Sequence, residues 1–221
     1  MINMLIERKT TSQTRVPKVK RIRVEQGTQE WLDARLGVVT ASEFSSLITT
    51  KGAKASTYQS YLDKKVAEAV TRQPASTFVT EAMERGRIME DEAARYYEAF
   101  FDCELSPGEF YSNGMWGCSP DRLLGKDRLV EFKCPLAHTQ VSYYRLDDAP
   151  PSKYWAQIQG QLWVCNKSIC EFFSYHPDMP FVHIIVERDE EFIQQLDEIV
   201  CRACDKIKKE VEFIHSMERD T

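Results

Sequence analysis

Between Pro120 and Lys133 the chain sets Pro120-Asp121, nine intervening residues, and then Glu131-Phe132-Lys133. Two carboxylates and an ammonium in that arrangement are the groups that metal-dependent phosphodiester hydrolysis uses. A hard cation such as Mg²⁺ prefers oxygen ligands, keeps several of its waters and takes one or two carboxylates from the protein. Such an ion polarises a phosphoryl oxygen and lowers the pKa of a bound water, while a nearby lysine orients or deprotonates that water and offsets developing charge. Asp121 and Glu131 are the candidate ligands, and Lys133 is the candidate partner of the water. The same residues also fit a solvated hairpin with a surface ion pair, and spacing alone leaves both readings open.

Positioning these groups falls to a hairpin. Leu129, Val130 and Phe132 make residues 128 to 133 apolar and β-favouring, and alternation puts Glu131 and Lys133 on one face. Gly125-Lys126-Asp127 reads as the turn that folds Asp121 back beside Glu131. Further strands are predicted near 108 to 112, 115 to 119, 121 to 124, 169 to 175 and 182 to 188. Helices are predicted over 28 to 36, 56 to 72, 80 to 101, 152 to 165 and 189 to 216, and Thr40-x-x-Glu43 gives a capping-box signal for one more. Helices flanking a mixed sheet make the chain α/β. With no internal repeat or long linker, residues 24 to 221 read as a single domain preceded by a basic arm, residues 1 to 23.

That arm resolves an apparent conflict in charge. The formal charge of −5 looks wrong for a DNA enzyme, but residues 1 to 23 carry +6 and the remainder −11. Local potential over a binding groove matters more than the total, and bound cations offset site carboxylates. The arm is a candidate contact for backbone phosphate, or else a solvated leader. Hydrophobic residues at 43% and charged residues at 29% allow a buried core, and no run of 18 apolar residues predicts a membrane helix. Met1 to Ile6 is too short for a signal-peptide core and its positive charges follow it, so a cytoplasmic location is expected. Seven scattered cysteines suit reduced thiols; Cys201-x-x-Cys204 lacks the partners an iron-sulfur cluster needs. His138, His176, His183 and His215 have no metal-ligand spacing, so neither zinc nor histidine-based catalysis is expected.

Longer blocks are more specific. Cys118-Ser119-Pro120-Asp121, Glu131-Phe132-Lys133-Cys134-Pro135 and Ala156-Gln157-Ile158-Gln159 occur in order, with Arg35-Leu36-Gly37-Val38-Val39-Thr40-Ala41-Ser42-Glu43 before them, Gly86 with Glu90 between, and Val186-Glu187-Arg188-Asp189-Glu190 after them. Together they resemble the phage lambda exonuclease family, the lambda-type alkaline exonucleases of the PD-(D/E)xK superfamily, over residues 22 to 214. The resemblance implies a restriction-endonuclease-like core, a central mixed sheet flanked by helices. It implies metal ligation by Asp121, Glu131, Glu90 and the Phe132 backbone carbonyl, and catalysis by Lys133 with Gln157 contacting phosphate or water. Gln161 stands where related nucleases carry tyrosine, and its role stays open. Arg35 and Ser42 match residues that bind a 5′-phosphate, a role that a helix N-terminus, a hydroxyl and a guanidinium fork would also suit. Met83 matches an apolar wedge that separates the strands.

The resemblance therefore implies a Mg²⁺-dependent enzyme, with Mn²⁺ as a substitute, that degrades the 5′-ended strand of linear double-stranded DNA to mononucleotides and leaves a 3′ overhang. It also implies a homotrimer working with a single-strand annealing recombinase in phage-type recombination, away from any membrane. Two other readings fit the same residues: a sequence- or structure-specific endonuclease of the superfamily, and a catalytically silent DNA-end binding protein.

Overall fold

The computed structural model describes residues 17–24, 26–75 and 81–217, with only the backbone of 81–83. Most of the basic arm, residues 1–16, lies outside the described residues. The elements in chain order are β1 (Lys20–Ile22), α1 (Gln29–Arg35), β2 (Val39–Thr40), a 3₁₀ turn (Ala41–Ser46), α2 (Tyr58–Thr71), α3 (Glu81–Phe101), β3 (Ser106–Pro107), β4 (Phe110–Ser112), β5 (Trp116–Cys118), β6 (Arg122–Leu124), β7 (Arg128–Lys133), α4 (Ala137–Tyr143), α5 (Ser152–Val164), β8 (Ile169–His176), β9 (Met179–Glu187) and α6 (Glu190–Met217). Lys20–Ile22, read from sequence as the end of the arm, pairs antiparallel with β4, and Arg21 donates to Glu109 at 2.7 Å.

The expected central mixed sheet is five-stranded, in the order β3-β6-β7-β8-β9. β7 lies parallel to β8 and antiparallel to β6. A parallel pair needs a crossover, and α4 with α5 supplies it. The strands predicted near 108 to 112 and 115 to 119 leave this sheet. They fold on each other around Gly114 (φ 90) and join β1 and β2 in a second sheet, β1-β4-β5-β2.

β7 is apolar on both faces because helices cover both. Val130 and Phe132 pack with Phe173 and Tyr175 of β8 against Ala93, Ala94 and Tyr97 of α3. Leu129 packs with Cys170 and Phe172 against Ile158 and Leu162, one turn apart on α5. Each such large apolar side chain contributes roughly 1.5–3 kcal/mol on burial. The other side of α5 meets the 3₁₀ turn at Gly160, where an added Cβ would stand 2.5 Å from the Phe44 ring. α6 presents Phe192, Ile193, Leu196, Val200, Ala203 and Ile207 at helical spacing to a core shared with Tyr58, Tyr61, Leu62 and Val66 of α2. Asp189 starts α6 by accepting the Phe192 N–H at 3.0 Å. Cys204 of this helix is buried and Cys201 exposed, and the seven cysteines carry no disulfide. Among the described residues no helix is long and apolar enough to cross a membrane.

The capping box expected at Thr40 does not form. Thr40 makes no side-chain cap to the 3₁₀ turn; its hydroxyl accepts from Arg35, and Glu43 pairs with Lys64 and Lys65.

One buried charge on the α3 side of the sheet ties three strands to a helix. Glu171 of β8 accepts from Tyr97 Oη (2.5 Å) and Arg128 Nη1 (2.9 Å) and lies 2.7 Å from His183 Nε2. Burial would raise its pKa, but the bonds to His183, Tyr97 and Arg128 outweigh burial and hold the carboxyl down at about 2. A depressed carboxylate stabilises the fold above its unfolded pKa of about 4.3, and that contribution disappears as pH falls toward 2, an upper bound of roughly 3 kcal/mol. Urea midpoints of the wild type and Glu171→Gln should therefore lie well apart at pH 6 and converge below pH 3. A constant gap across that range would refute the linkage.

Candidate active site

The β6–β7 hairpin brings the two carboxylates together. Arg122 pairs with Val130, and the next step of that register sets Asp121 opposite Glu131, around a turn in which Gly125 takes φ 59. Asp121 Oδ2 accepts the Phe132 N–H at 2.8 Å. Glu131 is 1% exposed, because β7 turns it under α5. Its Oε1 accepts from Lys133 Nζ and from Gln157 Nε2 (2.5 Å), and its Oε2 accepts from Gln161 Nε2 (2.7 Å). Gln157, expected to contact phosphate or water, thus donates to Glu131, and Gln161, whose role was open, holds the second oxygen. The Gln161 Oε1 atom is buried without a partner. Lys133 Nζ also lies 4.8 Å from the centre of the Tyr154 ring.

Glu90 approaches from α3 and is held by a residue that sequence reasoning missed. Arg122 Nη1 donates to Glu90 Oε1 (2.9 Å) and to the Asp121 carbonyl (2.7 Å), while Nη2 donates to Asp91 (2.6 Å). No spacing rule links positions 90 and 122; only the packed fold does. Arg85 likewise ties α3 to the chain after β7, donating to the Cys134 and Pro135 carbonyls at 2.9 Å. Glu90, Asp121, Phe132 and Lys133 line one open cavity of about 620 Å³ with Gly86, Arg87, Lys153 and Tyr154. The side chain of Met83 lies outside the described residues.

Within this cavity Glu90 and Asp121 face Arg87, Lys133 and Lys153. Burial pushes the Asp121 carboxyl well above the usual carboxylate range, and Glu131 and Glu90 push it the same way. Burial also raises Glu90, against the pull of Arg122 and with help from Glu131. For Lys133 burial acts downward, but Glu131 and Asp121 outweigh it and hold the amine above its ordinary value. Lys133 is therefore an ammonium at neutral pH, a proton donor and counter-charge.

These residues fit a hard divalent cation by their chemistry. Glu90 and Asp121 offer oxygen donors under mutual repulsion, which a cation relieves. Cys134, the thiol along this cavity, is pushed up to about 12 by burial, Asp121 and Glu90, and stays protonated. No ready-made cluster exists, however: among the described residues no three His, Cys, Asp or Glu side chains converge closely enough to hold a metal. Like charges repel, and each carboxylate takes its nearest donor, Arg122 for Glu90 and the amides with Lys133 for Glu131.

A second site lies across Ser119. Arg35 Nη1 donates to Ser119 Oγ (3.1 Å), and Nη2 donates to Thr40 Oγ1 and Ser42 Oγ (both 3.3 Å). Its guanidinium stacks 4.2 Å from the Trp31 ring centre, and Trp31 Nε1 also donates to Ser119 Oγ (3.2 Å). With both acceptor positions of Ser119 used, its own O–H proton is left to donate outward. The expected pairing of Arg35 with Ser42 is present. Its basis differs, since the 3₁₀ turn has six residues and the site rests on hydroxyls around a guanidinium rather than on a helix N-terminus. Ser119 and Thr40 are additions to the site; both stand inside the sequence blocks quoted above, where Thr40 was read only as a helix cap.

A mixed sheet covered by helices, with a hairpin bearing Asp121, Glu131 and Lys133, is the architecture of the nuclease fold. The alkaline exonuclease LHK-Exo from Laribacter hongkongensis superposes with a TM-score of 0.78 and 26% identity, over 87% of this chain and 99% of that one. Its structure in complex with dAMP matches equally well. A phage-related exonuclease from Haemophilus somnus 129PT shares the fold, with a TM-score of 0.63 and 15% identity over 81% of this chain and 96% of that one. The uncharacterised protein ExoD of Escherichia coli (strain K12) is 32% identical over 63 residues, 27% of this chain and 72% of that protein. The YqaJ-like viral recombinase domain matches residues 30–168, and the chain belongs to this family, that of lambda exonuclease.

Gly86 borders the cavity with nothing within 4 Å of the position its Cβ would take. Gly86→Ala should therefore stabilise α3 by about 0.5–1 kcal/mol and be tolerated. Gly86→Leu should fold equally well yet weaken substrate binding by filling the cleft. Thermal melts beside nuclease assays would test this, and equal activity of the two variants would remove Gly86 from the substrate path.

Proposed function

We propose that the protein is a Mg²⁺-dependent exonuclease that degrades the 5′-ended strand of linear double-stranded DNA to mononucleotides and leaves a 3′ overhang. The observation that carries this reading is the proximity of two unlike sites: a cavity in which Glu90 and Asp121 offer oxygen donors to a divalent cation, and a hydroxyl-ringed Arg35 that has no carboxylate partner among the described residues. They are joined by Ser119-Pro120-Asp121, with Ser119 in one and Asp121 in the other. When bound, the cation would supply Lewis-acid polarisation of the scissile phosphate and an acidified water. Asp121, Glu131, Glu90 and the Phe132 carbonyl would hold it, and Mn²⁺ would substitute for Mg²⁺.

The chain's own residues would do the rest. Gln157 and Gln161 fix the Glu131 carboxylate and so limit how far it has to move to meet the ion. The Lys133 ammonium orients the attacking water and offsets charge on the pentavalent phosphate. Arg35, Ser42 and Ser119 seat the terminal 5′-phosphate through charge-assisted hydrogen bonds. Met83 would wedge the strands apart, and the basic arm would contact backbone phosphate. The family and the alkaline exonuclease neighbours support this reading. They also motivate the proposals of a homotrimer, a single-strand annealing recombinase as partner, and action in phage-type recombination in the cytoplasm.

The discriminating assay compares linear duplexes bearing 5′-phosphate or 5′-hydroxyl ends with covalently closed circles, with and without Mg²⁺. Linear 5′-phosphorylated DNA should be digested only with the metal, and circles should survive. Cleaved circles would identify an endonuclease instead, and end binding without cleavage a silent binder. Lys133→Ala and Asp121→Asn should each lower the rate about a hundredfold or more. Arg35→Ala should slow digestion of 5′-phosphorylated ends selectively; an equal loss on 5′-hydroxyl ends would remove the terminal-phosphate assignment.

A further inference from the structure

Arg35 shares a cavity of about 430 Å³ with Glu43, Lys64, Lys65 and Glu68. A partly enclosed guanidinium beside a carboxylate normally forms a bidentate pair. Here it does not. Both Glu43 oxygens are taken by ammonium groups, Oε1 by Lys64 Nζ at 2.7 Å and Oε2 by Lys65 Nζ at 3.0 Å. Lys65 is itself enclosed and anchored by Glu68 Oε2 at 2.9 Å, and the same oxygen accepts the Gly37 N–H at 3.3 Å. Among the described residues Arg35 makes three hydrogen bonds, all to hydroxyls, and of its five N–H donors two are unspent.

We propose that Lys64 and Lys65 are specificity-determining positioning residues: they clamp Glu43 away from Arg35 and so keep the guanidinium available for a terminal DNA phosphate. The proposal rests on the reading of Arg35 as the phosphate seat. Glu43 is the carboxylate whose charge acts most strongly on Arg35. Released from the lysines, it would compete with the phosphate from inside the protein. The clamp also explains why the buried lysine is held from two sides. Glu68 anchors Lys65 to the turn at Gly37, and Lys65 passes that fixed position on to Glu43. Consistent with this, burial alone would raise Glu43, and the two lysines outweigh it and bring its carboxyl below the usual range.

The test measures the ratio of digestion rates on 5′-phosphorylated and 5′-hydroxyl linear duplexes. Lys65→Met should lower that ratio about tenfold, the worth of one charge-assisted hydrogen bond, and Glu43→Gln in the same chain should restore it. The internal ratio cancels a general loss of folded protein, and Glu68 stays uncompensated in both chains, so a merely structural role would not produce the rescue. Should Lys65→Met fail to fold, the half-exposed Lys64→Met carries the same comparison, with a smaller drop and the same rescue. Glu43→Gln alone should keep or raise the ratio. An unchanged ratio in the lysine variants, rescue by Glu68→Gln but not by Glu43→Gln, or a drop in Glu43→Gln alone would each overturn the clamp. A failure of the terminal-phosphate reading is separate, because Arg35→Ala would then leave the wild-type ratio unaltered.

Discussion

A carboxylate as deeply enclosed as Glu131 costs several kcal/mol to desolvate, and that cost is recovered only if donors surround it. This requirement organises the region. The donors come from two elements: Lys133 from the same face of β7, and Gln157 and Gln161 from successive turns of α5. α5 must therefore lie at one rotation and one height over the sheet. Ile158 and Leu162 fix the rotation by packing on β7 and β8, and Gly160 fixes the height by admitting Phe44 where a side chain would otherwise stand. Removing Gln161 would leave Oε2 without its donor in a buried site, so the helix, the sheet and the acid depend on one another.

A second electrostatic theme runs through the molecule: an acid is surrounded by donors where the fold needs rigidity and crowded by other acids at the candidate site. Glu171 is satisfied by Tyr97, Arg128 and His183, and its low pKa reflects a settled charge. Asp121 is the opposite case, buried beside two other carboxylates and raised by all of these influences. Both lie in the same five-stranded sheet region, one serving α3 packing and one facing the cleft. The contrast separates structural from functional acids more sharply than residue type does.

Local pattern made much of this legible. The hairpin could be read from Gly125 and from the apolar run around Glu131, and β7 occupies residues 128 to 133 as its composition dictates. The amphipathic repeat of α6 and the long α3 followed from periodicity, and Arg35 and Ser42, read together from sequence, do meet. What escaped was set by partners distant in sequence. Arg122 meets Glu90 across 32 positions, and Arg35 meets Ser119 across 84. The short strands β1, β2 and β3 have two or three residues each and carry no periodicity of their own; pairing alone creates them. Thr40 looked like a helix cap because Glu43 follows at the right interval, but a partly enclosed guanidinium and two lysines bid more strongly for those side chains.

The short link Ser119-Pro120-Asp121 has a consequence for product length. Two residues of chain reach at most about 7 Å, and proline at the middle position stiffens even that. Under the proposed reading, the backbones that carry the group gripping the end of the strand and the group that helps cut it thus stay within that reach. Such a covalent tether would limit how far apart grip and cut can lie, so the size of each fragment would be insensitive to how far the rest of the duplex bends or slides.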